Sequence, residues 1–330
     1  MACGSARTNQ VSHPQVSIVL PIYNVAAYLP KCLDSLSAQI FLDYEIIAVD
    51  DGSTDDSPSI LAAYTTRLPN LLIIRQENGG LSVARNAGMD HAHGKWLLFV
   101  DADDFIEPDT LLQLVRVAEE NNLDIALCNA LYHHEGRKPD TPIYIGPQET
   151  SVTSGKEWLR NRLREKFLPH MVWMHLYRRE FLTAHNFRFV PGQVHEDVIW
   201  TNQVMLAAHR VRYIDKILYN YRIRQARSGA DILRRSVEYV IPCSKKNVME
   251  VSHMADALSA DPELERLMRW QAFNSGNAVF HLINKLPSKA DRRLEFKRLN
   301  KDGFLSLMRR NAITLSQYKK LARIMLRNIF

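Results

Sequence analysis

Between residues 16 and 130 the chain alternates short apolar, β-branched runs with segments of helical periodicity, and this alternation is its strongest constraint on fold. VSIVL (16–20), EIIAVD (45–50), NLLIIRQ (70–76), WLLFVD (96–101) and DIALCNA (124–130) have the length of strands and are apolar nearly throughout. Segments near 25–36, 57–67, 83–92 and 108–121 read as the helices between them. The pattern predicts an α/β fold, a mostly parallel sheet covered on both faces by helices. Such sheets bind ligands at the carboxyl ends of their strands. Asp50 and Asp51 end one run, and Asp101, Asp103 and Asp104 end another, so they are expected to share one crevice.

A cluster of carboxylates at the end of a buried strand costs stability unless something positive sits among them. In LLFVDADD, Asp101 and Asp103 stand one residue apart on a tight loop and suit a hard divalent cation, Mn²⁺ or Mg²⁺. A cation held this way keeps positions for phosphate oxygens, as in nucleotide sites. Asp50 or Asp51 would then accept a hydrogen bond from a base ring N–H. The plainer reading of both stretches is capping: Asp103 or Asp104 for a turn, Asp109 for the next helix, and DDGSTDDS as a capped loop.

After about residue 150 the pattern changes. Helices are expected at 154–166 and 172–184, a strand at 211–222, and amphipathic helices from about 231 onward. Three parts follow: a leader over 1–14 without signal-peptide character, a ligand-binding and catalytic domain over 15–228, and a helical region over 229–330. Cys3, Cys32, Cys128 and Cys243 are scattered without metal-ligand spacing, which fits a reducing compartment and a cytoplasmic location. No apolar run is long enough to span a membrane. The formal charge of +6 belongs to residues 301–330, where seven basic residues face Asp302 alone.

VSIVLPIYN, IIAVDDGSTDDS, ENGGLSVARNAG and LLFVDADD, in this order and spacing, resemble the nucleotide-sugar domain of the family-2 inverting glycosyltransferases, with their GT-A fold. The resemblance is close over residues 16–110 and thin to about 228. It implies a metal-dependent enzyme moving a sugar from a UDP-sugar to a growing surface glycan, such as lipopolysaccharide or capsule, or to a lipid-linked glycan. It implies that Pro21 and Tyr23 surround the base, Asp50 or Asp51 bonds uracil, and Gly79 and Gly80 let the backbone approach the donor. Arg85 and Asn86 would stand beside the sugar and diphosphate, Asp101 would contact the ribose or sugar side, and Asp103 would bind the metal with Asp101.

Inverting transfer needs a base for the acceptor hydroxyl, which the family draws from a Glu-Asp pair. Here that pair is Glu196-Asp197, with Asp197 as base and Glu196 shaping the acceptor pocket; a capped helix start is the plain alternative. His195 beside them reads as a hydrogen-bond partner. YNYRIRQARS resembles a segment that folds over the diphosphate, through Arg222, Arg224, Arg227 and Ser228, but its arginine-to-serine spacing is one residue longer than usual. His175 stands where many relatives carry lysine, and is read as packing.

From Leu315 on, apolar residues at 315, 318, 321, 322, 325, 326 and 329 share a helix face, while Lys319, Lys320, Arg323 and Arg327 gather on another. Such a helix suits peripheral contact with an anionic membrane, or packing on the core with a solvated basic face. No interleaved aromatics point to nucleic acid. Two rival classes remain: a nucleotide-sugar-binding protein without catalysis, and a Mg²⁺-dependent phosphoacceptor signalling domain, whose strand-end carboxylates Asp50, Asp51 and Asp101 would match in spacing.

Overall fold

The computed structural model describes residues 13–136, 138–146, 148–224 and 239–329. Strands β1 (Val16–Ile22), β2 (Tyr44–Asp50), β3 (Leu71–Arg75) and β4 (Trp96–Phe99) are joined by helices α1 (Leu29–Ser37), α2 (Ser57–Tyr64) and α3 (Leu81–Asp90). These strands pair in parallel, with β1 between β2 and β4. Then follow β5 (Phe105–Ile106), α4 (Thr110–Glu120), β6 (Ile125–His133), β7 (Thr141–Pro142), α5 (Gly155–Arg164), β8 (His175–Arg178), α6 (Arg179–Ala184), α7 (Glu196–Ala207) and β9 (Val211–Arg222). All nine strands form one sheet, ordered β3-β2-β1-β4-β8-β6-β9-β5, with β7 beside β6.

Every residue of β1 is buried, because helices cover it on both faces. Close cover on one side depends on Gly88 of α3, where a Cβ would come within 2.3 Å of Val19 Cγ1. Since β1, β2, β4, β6 and β9 run the same way, the chain after Ile22, Asp50, Phe99 and Arg222 emerges along one edge of the sheet.

Two expectations need correction. Residues 172–184 are not one helix: a 3₁₀ turn at Val172–Met174 leads into β8, and only α6 is helical. β8 runs antiparallel to both β4 and β6 and fills the slot between them, with His175, Leu176 and Tyr177 buried. Pairing on both sides outweighs the helical pattern of a four-residue run, so the sheet is mixed, though mostly parallel. Nor is every strand covered, for β3 forms an edge where Leu72 and Ile73 are exposed. Most of the expected leader lies outside the described residues; Pro14, within it, is anchored, its carbonyl accepting from the Lys95 N–H at 3.3 Å.

Beyond β9 the described chain is helical: α8 (Ile241–Asp256), α9 (Pro262–Asn284), α10 (Lys289–Lys301), α11 (Phe304–Asn311) and α12 (Leu315–Ile329). Asp261 and Ser288 cap α9 and α10 by accepting from the Leu264 and Asp291 N–H groups. Met268, Phe273, Phe280, Phe304 and Met308 are buried there within the same continuous core as the sheet, and α9 reaches across to α5.

Candidate active site

Ile22 and Asp50 are register partners, so the loops after β1 and β2 start side by side. Asp51 then organises the neighbouring loop. Its carboxylate accepts from the Gly79 N–H at 2.9 Å, the Gly80 N–H at 2.8 Å, Gln76 Nε2 at 2.6 Å and Asn78 Nδ2 at 3.2 Å. Gly80 turns with φ +85° to start α3, a geometry that L side chains rarely adopt. Between these loops and the end of β4 lies a cleft of about 580 Å³, lined in part by Pro21, Tyr23, Asp51, Gly80, Asp101 and Asp103. Of the two aspartates left open by the sequence, only Asp51 lines it. Asp50 turns behind, accepting from the Ser53 N–H at 2.9 Å and facing Arg75 at 3.4 Å.

The three carboxylates after β4 have separate fates. Asp104 is fully buried and accepts from Tyr219 Oη and the Arg222 N–H, both at 2.8 Å, so it ties β4 to β9. Burial and the charges of Asp103 and Asp101 push it up to about 9, which keeps it protonated near neutrality. Asp103 faces the cleft and is paired with Arg224. Burial and then Asp101 raise its pKa, and Arg224 pulls it back. Asp101 accepts from Arg85 at 2.7 Å.

Arg85 is the hub between two clefts. It is 2% exposed, and its second amino group donates to Glu196 at 2.6 Å, across 111 positions of sequence. Glu196 and Asp197 begin α7, whose positive end faces the same place. Burial, then the Glu196 charge, push Asp197 up to about 7, while Arg85 offsets part of the rise. Asp197 lines a second cleft, also of about 580 Å³. Leu81 and Asp101 line both, so the two clefts meet at the carboxylate of β4. The chemistry available is a proton acceptor poised near neutrality beside an acidic, hard-oxygen binding cleft.

The sequence profile described as Glycosyl transferase family 2 matches residues 17–184. The chain belongs to this family. It is 32% identical over 311 residues to the uncharacterized glycosyltransferase YibD of Escherichia coli K12, covering 91% of this chain and 87% of that one. In fold it is similar to TarS 1-349 of S. aureus, solved with UDP-GlcNAc, at a TM-score of 0.59 and 22% identity over 89% of this chain and 90% of that one. It is also similar to the mannosyltransferase PcManGT of Pyrobaculum calidifontis, solved with GDP-Man and Mn²⁺, at a TM-score of 0.55 and 17% identity over 97% and 88%. The protein is thus a GT-A-fold glycosyltransferase using a nucleotide-sugar, and the signalling-domain alternative falls away.

The other expected residues of this glycosyltransferase are placed unevenly. Asn86 is turned from both clefts and clamps the backbone of Phe189, donating to its carbonyl at 2.8 Å and accepting from its N–H at 2.9 Å. Arg222 lies behind the first cleft, donating from Nε to the Asp103 carbonyl at 2.7 Å and pairing with Glu135. Arg224 lines that cleft; Arg227 and Ser228 lie outside the described residues. His195 precedes α7 in a left-handed conformation and lines the second cleft. His175 is buried 2.8 Å from Tyr177 Oη and lines neither. Sequence reasoning passed over Gln76 and Asn78, although Asn78 lies within ENGG. It also passed over Tyr219, whose alternation with Tyr221 along a strand was the available signal.

Proposed function

We propose that this glycosyltransferase is metal-dependent and inverting, and that it moves a sugar from a UDP-sugar to a hydroxyl of a growing surface glycan or lipid-linked glycan. The observation that carries this reading is the meeting of the two clefts at Asp101, with Asp197 poised near pH 7 on the second side. The donor would occupy the first cleft, its base beside Tyr23 and Asp51 and its diphosphate toward Asp103, Arg224 and the start of α3. UDP is favoured by the family resemblance and by the UDP-sugar bound to TarS.

Asp101 and Asp103 suit Mn²⁺ or Mg²⁺: both are hard oxygen donors, and burial and then the Asp101 charge already raise Asp103. Among the described residues no three His, Cys, Asp or Glu side chains group to hold a metal by themselves. PcManGT, solved with Mn²⁺, offers a precedent within the fold. A bound cation would neutralise charge growing on the leaving nucleoside diphosphate. The chain's own residues would do the rest. Asp197 takes the proton of the acceptor hydroxyl as that oxygen bonds to the anomeric carbon. The bond from that carbon to the diphosphate oxygen breaks, and its electron pair leaves with UDP. Glu196, held by Arg85, would fix the position of the neighbouring base.

Thermal denaturation with UDP or GDP, with and without Mn²⁺, tests the donor side. UDP with Mn²⁺ should stabilise the protein more than either alone, and Asp103→Ala should abolish the synergy. An equal response to GDP, or none to UDP, would sink the assignment.

We take 15–228 as the catalytic unit and 229–330 as an extension that brings it to its acceptor. Among the described residues no helix is long and apolar enough to cross a membrane. In α12 the apolar face divides: Leu321 is buried on the core, whereas Leu315, Tyr318 and Leu326 are 69%, 46% and 58% exposed beside Lys319, Lys320 and Arg323. That outer row suits peripheral binding to an anionic membrane on its cytoplasmic side. Vesicles containing phosphatidylglycerol should retain the protein in flotation, and Leu315→Gln with Leu326→Gln should release it; retention by neutral vesicles alone would refute this.

A further inference from the structure

The second cleft is lined by both carboxylates and aromatic rings. The carboxylates are Asp101, Glu196 and Asp197, and the rings include Tyr132, Trp173 and Tyr221. The sheet dictates this aromatic wall. Tyr132 and Tyr221 are register partners on β6 and β9, with ring centroids 6.0 Å apart and planes inclined at 71°, so Tyr132 meets the ring of Tyr221 edge to face. Tyr219 and Tyr221, two residues apart, project from the same face of β9. Trp173 lies nearly parallel to both, at 4.1 Å and 5.5 Å with interplanar angles of 15°. Trp173 is 4% exposed and Tyr219 1%, so the stack is fixed, while Tyr132 and Tyr221 are half-buried. The Tyr219 hydroxyl accepts from the Asp101 N–H at 3.1 Å and donates to Asp104, tying the wall to the strand end where the clefts meet.

We infer that Tyr132, Trp173 and Tyr221 form the platform on which a neutral pyranose ring of the acceptor packs, presenting a hydroxyl to Asp197. This rests on the reading of the second cleft as the acceptor side. A pyranose has a C–H face and a polar rim, and the negative faces of aromatic rings attract polarised C–H groups. An aromatic wall and carboxylates lining one cleft match both parts of such a ring. A phosphate-bearing acceptor fits less well. Arg85 is already bonded to Asp101 and Glu196, so Asp101, Glu196 and Asp197 face a ligand with no further cation among them to offset their charge. Like-charge rejection there would therefore select against polyol phosphates.

Saturation-transfer NMR on the full chain with UDP and Mn²⁺ tests the proposal without knowledge of the natural acceptor. The probes are methyl glucoside, methyl galactoside and their N-acetylamino forms, with glycerol 3-phosphate as the anionic comparator. Saturation should reach the ring C–H protons of at least one pyranoside, fall roughly threefold or more in Tyr221→Leu, and persist in Tyr221→Phe. The UDP-induced thermal shift identifies folded protein; should Tyr221→Leu lose it, Tyr132→Leu becomes the deciding variant. No transfer to any pyranoside, undiminished transfer in the leucine variant, or stronger transfer to glycerol 3-phosphate would overturn the inference. A wild-type protein that binds pyranosides on this wall but shows no UDP shift would instead refute the donor assignment.

Discussion

Asp51 and Asp197 both stand at the mouth of a cleft, and they are held in opposite ways. Asp51 accepts four hydrogen bonds from residues 76–80, less than thirty positions along the chain. Asp197 sits beside Glu196 in a buried helix start and is pushed up to about 7. The first carboxylate is satisfied and frames a site, whereas the second is under electrostatic stress and suits proton transfer. The clefts are therefore built differently: the first is framed by local hydrogen bonds, and the second by an ion-pair knot between distant segments. Substitutions should separate the two.

Asp197→Asn should have the largest effect. Transfer should fall by about 10²–10⁴, the usual contribution of a general base, while UDP binding stays as in the wild type. In the wild type, the rate should rise as pH climbs through about 7, because the base must be ionised. Stability runs the other way. The folded pKa lies above the ordinary value of 3.8, so the folded state binds more protons between about 4 and 7 and loses stability as pH rises through that window. The asparagine variant should thus melt higher than wild type at pH 8, with the gap closing toward pH 4. A variant that lost UDP binding as well would break the division between the clefts.

The legibility of the two clefts in the sequence differs for the same reason. Strand ends carry Asp51, Asp101 and Asp103, and the apolar runs before them are continuous, so the donor side could be read from local pattern. The choice between Asp50 and Asp51 could not, because it depends on which carboxylate reaches the Gly79 and Gly80 amides. Arg85 was assigned to the diphosphate side, but its link to Glu196 spans 111 positions and leaves no local trace. β8 lies inside a stretch whose pattern over 172–184 reads as helix, and four residues are too few to break that pattern, while β5 and β7 are shorter still. The aromatic wall was missed because it takes one ring from each of three segments that only the sheet brings together.

Arg85→Met sharpens the comparison from the acceptor side. It leaves Asp101 and Glu196 without their shared cation, and breaking a buried pair of this kind costs about 3–5 kcal/mol. The loss in melting temperature should be larger at pH 8 than at pH 5, where Asp197, raised by burial and Glu196 and no longer held down by Arg85, is protonated. Because Arg85 also holds Asp197 down, the surviving activity should show its rise displaced toward alkaline pH. Arg85→Lys, which keeps the charge, should recover part of the stability. A pH-independent loss would mean that Arg85 matters for packing against Phe189, 5.2 Å from its guanidinium, and not for charge.

Gly80→Ala addresses the donor side and should have the smallest effect. An added Cβ would meet nothing within 4 Å, so crowding is not the obstacle. The obstacle is the backbone: φ +85° with ψ 168° is a region essentially reserved for glycine, and forcing alanine into it costs about 1–3 kcal/mol. Relaxing that turn would draw the residue 80 amide from Asp51, where it donates at 2.8 Å, and shift the start of α3. KM for the donor should therefore rise, with a modest fall in melting temperature, while the pH at which activity rises stays near 7 because Asp197 and its neighbours lie on the other cleft. A displaced pH profile in this variant would show that the loop framed by Asp51 and the knot around Arg85 act as one unit, and the separation of the two clefts would have to be given up.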